Sequence, residues 1–113
     1  MILTFLLFIL LHTLFWFSSN YQFAEGVDEK RALYICLILS IPTSVLVFYA
    51  TKHAYNVLET AWSVRLFGFS IGYIVFPALT WFFLHESPFN TKTMISIMLA
   101  FTIMGVQLFV PNN

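Results

Sequence analysis

Between Leu66 and Leu84 the chain runs LFGFSIGYIVFPALTWFFL, 19 residues without one charge, and stops abruptly at His85-Glu86-Ser87-Pro88. At about 1.5 Å per residue a helix of that length reaches roughly 29 Å, close to the ~30 Å hydrocarbon thickness of a bilayer. In lipid, every backbone N–H and C=O must find its partner inside the segment, which a helix achieves. The run therefore reads as a membrane-spanning helix, and the other segments as its neighbours.

The rest of the chain agrees. Charged residues make up only 9% of it, against roughly 25% in a soluble domain, whose surface water must solvate. Three further apolar runs flank the first, giving expected spans at 2–18, 32–51, 60–84 and 93–110. The later spans are joined by short connections, so successive helices should run antiparallel. The expected fold is an all-α integral membrane protein, a single domain over 1–113 built from four antiparallel transmembrane helices. Residues 2–18 have the length of a signal-peptide core, but no Lys or Arg precedes them and SSNYQFAEG lacks a small-x-small cleavage site, so they read as a retained span. Phe15, Trp16, Phe17 and Tyr21 at its far end are expected at a membrane interface.

Net charge is zero, which gives no basic surface for nucleic acid. Cys36 is the lone cysteine, so an internal disulfide is excluded. The loop SNYQFAEGVDEKR gathers acids that suit a solvated turn better than a metal site. No nucleophile-base-orienter constellation is visible, so no enzyme activity, cofactor or metal is expected.

A few polar residues stand out within the spans. His12 falls near the depth centre of the first, where an ionisable group is either a substrate-facing or proton-binding imidazole or a packed ring hydrogen-bonded to a neighbouring helix. The second span carries Ser40, Pro42, Thr43 and Ser44 at its middle, readable as a hinge or as a tolerated kink, and Lys52 and His53 should close it. Arg65 can sit at the interface, because the run after it already fills the bilayer. Gly68 and Gly72 form a G-x-x-x-G pair that lets helices approach closely, and it fits packing within the chain better than a dimer face. Lys30, Arg31 and Lys92 oppose Lys52 and Arg65 across the expected membrane. That small bias points to both termini outside, or to a mixed topology.

Residues 54–110 resemble the drug/metabolite transporter superfamily. Ala61-Trp62-Ser63 before a long apolar helix looks like the third helix of small multidrug resistance proteins. FFLHESPF, followed by a helix ending IMGVQLF, is similar to that superfamily's last hairpin, with Gly105 matching one of its two spaced glycines. The resemblance implies a small transporter acting as an oligomer, with Trp62 at the family's aromatic-box position. This chain departs from the pattern where the family places a proton-coupling glutamate, in the first helix: the first span holds no acid, only His12. Glu59 stands one turn before Trp62, where those exporters carry an aromatic residue.

The candidate substrate-binding set is therefore Glu59 for charge, Trp62 for a cation-attracting π face and His12 for proton response, with Gly68, Gly72 and Gly105 packing helices. Such a set would take a small cationic or polar solute. The competing class is a non-transporting protein, either an accessory subunit of a larger membrane complex or a holin-like permeabiliser. The expected surroundings are the lipid bilayer and a second copy or a membrane complex, in a bacterial-type inner or plasma membrane.

Overall fold

Four helices account for most of the chain in the computed structural model, which describes residues 1–111. They are α1, Ile2–Asn20; α2, Glu29–Leu58; α3, Ala61–Leu84; and α4, Thr91–Phe109. A short 3-10 turn, Tyr21–Phe23, follows α1, and no strand occurs among the described residues. All four helices are long and apolar enough to cross a membrane, as a multi-pass membrane protein requires.

Three of the helices begin and end within three residues of the expected spans. The second does not. It starts at Glu29 and continues past Lys52 and His53 to Leu58, correcting the expectation that those two residues close it. Polar side chains do not stop a helix unless they offer the backbone another partner, and Lys and His offer none. Termination comes instead at Glu59, which takes a left-handed conformation (φ 71°) with its N–H bonded to Tyr55 O at 2.8 Å. Thr60 then opens α3 by accepting a hydrogen bond from the Ser63 N–H, the usual work of an N-cap threonine. Two of the four prolines are carried inside continuous helices, Pro42 in α2 and Pro77 in α3.

α1 and α3 form the middle of the molecule. α2 packs mainly on α1 and touches α3, and α4 leans on α3. The result is a flattened four-helix bundle, 51 × 36 × 19 Å. Its core gathers Phe8 and Leu11 of α1, Ala54 of α2, and Val64, Phe67, Ile71 and Val75 of α3. The outward faces are apolar as well: Ile38, Ile41, Phe82 and Phe109 are each at least 70% exposed. A surface of that kind is what lipid, and not water, accommodates.

Hydrogen bonds join three of the helix pairs at few points. Thr4 Oγ1 lies 2.8 Å from His53 Nδ1 between α1 and α2. Trp16 Nε1 donates to Thr80 Oγ1 at 2.9 Å between α1 and α3. Between α3 and α4, Ser63 Oγ donates to Gln107 Oε1 at 2.9 Å, and Ser70 Oγ lies 2.9 Å from Ala100 O. Trp16 is thus buried in the seam between α1 and α3.

Candidate functional site

The seam between α1 and α3 is built from rings set into glycine notches. A Cβ on Gly68 would stand 3.0 Å from Phe8 Cε1, and one on Gly72 would stand 3.1 Å from His12 Cε1. Both glycines therefore serve contact within the chain, because any side chain there would push α1 away. Gly105 behaves differently. A Cβ there would meet nothing within 4 Å, so no other helix of this chain closes over it.

Large rings seated in small notches leave spaces beside them. One cavity of about 440 Å³ is lined by Phe8, Leu11 and His12 of α1, by Val47, Thr51 and Tyr55 of α2, and by Ala61, Val64, Arg65, Gly68 and Phe69 of α3, with Phe15. A second, of about 450 Å³, is lined by His12, Phe15, Trp16, Ser19 and Asn20 of α1 and by Phe69, Gly72, Tyr73 and Phe76 of α3. Both fall in the range of small-molecule sites. They share His12, Phe15 and Phe69, and so adjoin to form a groove along the α1–α3 seam. Seven of the eighteen residues lining it are Phe, Tyr or Trp. Polar groups gather at its two ends, with Thr51, Tyr55 and Arg65 at one and Ser19 and Asn20 at the other. His12 stands between them, its ring 5.9 Å from that of Phe15 in an edge-on arrangement.

The residues expected to bind substrate divide accordingly. His12 is on the groove. Glu59 and Trp62 line neither cavity. Glu59 lies outside α3, as the left-handed residue ending α2, so it does not share a helical face with Trp62. Trp62 is in the first turn of α3 and 76% exposed. Neither cavity has an acidic residue in its lining, so the groove offers no carboxylate to a cation.

Sequence reading missed Tyr55, Thr51 and Phe69 as lining residues. Fourteen phenylalanines spread over the spans made any one of them unremarkable, and Tyr55 was hidden by the expectation that α2 had already ended. It also missed the polar chain Thr60–Ser63–Gln107, in which the Thr60 hydroxyl donates to Ser63 Oγ at 2.9 Å and Ser63 to Gln107. Its N-terminal half was legible, since a threonine just before an apolar run is a cap signal.

Among the described residues no three of His, Cys, Asp and Glu come together to hold a metal ion. No protein-family model matches the chain, and neither a curated protein nor a solved structure is significantly similar to it.

Proposed function

We propose that this is an integral membrane protein of the small transporter type, whose working surface is the groove along the α1–α3 seam. In this reading all four helices cross the bilayer and alternate in direction. The pairing of Thr4 with His53, and of Ser63 with Gln107 while Ser70 meets Ala100, supports opposite directions for α1 and α2 and for α3 and α4. The sequence Phe8–Gly68, His12–Gly72, Trp16–Thr80 supports a common direction for α1 and α3.

The observation that carries the proposal is the pair of adjoining cavities meeting at His12. With α1 and α3 spanning side by side, Arg65 and Tyr55 stand near one membrane face and Ser19 and Asn20 near the other. A solute following the seam would then find polar groups at both ends and aromatic walls between. Such a path is open to lipid on its side, which suits an amphipathic solute better than a small ion, whose transfer into hydrocarbon is costly. The likeness of residues 54–110 to small multidrug resistance proteins supports the same class of activity.

The test is flux through liposomes reconstituted with purified protein, loaded in turn with a cationic, a neutral and an anionic amphipathic dye. At least one dye should cross faster than in empty liposomes. His12→Leu should slow it about tenfold, the effect of roughly 1.4 kcal/mol on a barrier. Glu59→Gln and Trp62→Leu, off the groove, should leave it within about twofold, less than 0.5 kcal/mol on the same scale. Flux equal to empty liposomes for every dye would overturn the reading. One observation favours the accessory-subunit alternative: the centre of the bundle is closed by Phe8, Phe67 and Ile71, with no enclosed passage. The absence of flux in the same assay would leave that alternative standing.

A further inference from the structure

The Arg65 end of the groove has a chemistry of its own. Of the residues lining that cavity, Arg65 is the one with a permanent charge, and no carboxylate lines it. Thr51 and Tyr55 of α2, which carry hydroxyl groups, line the same cavity. A cavity lined by a guanidinium and hydroxyl-bearing residues, with no acid, is complementary to an anion, and the planar fork of the guanidinium suits the oxygens of a phosphate. Beyond it the lining is largely aromatic, with Phe8 and Phe69, then Tyr73 and Phe76 in the adjoining cavity, interrupted by His12 and ended by Ser19 and Asn20.

The dimensions specify the ligand further. From Arg65 to Phe76 is 11 residues of α3, or roughly 16 Å at 1.5 Å each, close to half of the ~30 Å hydrocarbon layer. Arg65 immediately precedes the uncharged run Leu66–Leu84, whose midpoint is Val75. In a spanning α3 the part of the groove from Arg65 to Phe76 thus runs from the interface to about the midplane, the depth of one leaflet, and Ser19 and Asn20 of α1 carry the lining on toward the other face. We propose that it holds an anionic phospholipid of the surrounding bilayer, with the phosphate at Arg65 and one acyl chain against Phe8, Phe69 and Phe76. This rests on the reading of the groove as the working surface and names its ligand class. A small soluble anion would use only the Arg65 end and leave the aromatic length of the groove without purpose.

The protein is purified in mild detergent, equilibrated with equal amounts of phosphatidylglycerol and phosphatidylcholine of matched chains, and its retained lipid read by native mass spectrometry. One interfacial cation contributes enough to favour the anionic lipid about fivefold. Arg65→Gln should abolish the preference while Arg31→Gln, in the first turn of α2 and outside the lining of both cavities, keeps it. Excess inorganic phosphate should not displace the lipid. A phosphatidylglycerol with a photoreactive group on its acyl chain gives an independent measurement on the unaltered protein, and should label residues 8–15 and 65–76 in preference to 93–109. Equal retention of the two lipids, a preference untouched by Arg65→Gln, displacement by phosphate alone, or labelling spread over α4 would each overturn the proposal. Dye flux without lipid preference would sink this inference and spare the transporter reading; preference without flux would do the reverse.

Discussion

The two seams of α3 differ in emphasis, although the α1 seam also carries one hydrogen bond, from Trp16 Nε1 to Thr80 Oγ1. Toward α1 it offers Gly68 and Gly72, and the partner helix fills the notches with the rings of Phe8 and His12. Toward α4 it offers hydroxyls, Ser63 reaching Gln107 and Ser70 reaching Ala100 O, while the glycine of α4 touches nothing. In lipid there is no hydrophobic drive between helices, so close packing and interhelical hydrogen bonds are the two means of association left. The difference teaches where a membrane protein keeps room for a ligand. A polar stitch fixes two helices at points, and α4 lines neither of the two cavities of the groove. A seam of rings and notches matches shape only where each ring meets its glycine, and leaves aromatic-walled volume beside it.

The most severe test of this contrast is to fill a notch. Gly68→Ile should destabilise the fold by about 1–3 kcal/mol, the usual cost of overpacking a close contact, whereas Gly105→Ile should stay within about 0.5 kcal/mol as an unconstrained position. Unfolding with denaturing detergent measures both. Equal costs would mean that the α1–α3 seam is not built by fit.

Smaller effects are expected from the hydrogen bonds. A double-mutant cycle on Ser63→Ala and Gln107→Leu should give a coupling of about 0.6 kcal/mol, the average for polar pairs between membrane helices, and no more than about 1.7 kcal/mol. Thr80→Val should cost somewhat more, about 1 kcal/mol, because it leaves the buried indole N–H of Trp16 without an acceptor. A coupling at Ser63–Gln107 above the cost of filling the Gly68 notch would reverse the ranking of the two seams.

The smallest effect belongs to the junction outside both. Glu59 holds φ at 71°, where a side chain is strained and glycine is not. Glu59→Gly should therefore raise stability by about 0.5–1 kcal/mol, after part of the relief is offset by the freedom glycine gains when unfolded. Thermal unfolding measures it. A loss of stability would show that the Glu59 side chain makes a contact that matters to one of the seams.

The helices themselves were legible residue by residue. Length, the absence of charge from Leu66 to Leu84, and the turn residues around Gly26 and Pro88 act locally, and each can be weighed without knowing what lies across the fold. The closeness demanded by Gly68 and Gly72 was legible too, since an absent side chain can be read in any context. The partners were not. Whether Gly105 meets a ring, whether Trp16 faces lipid or Thr80, and whether Glu59 shares a face with Trp62 depend on how helices are rotated against one another. That rotation is settled by the sum of many ring and notch contacts between residues tens of positions apart. The groove shares this origin. Its residues come from three helices, and no stretch of sequence contains them; it exists because Phe8 and His12 fit α3 only at two points, leaving space beside them that the tertiary structure alone creates.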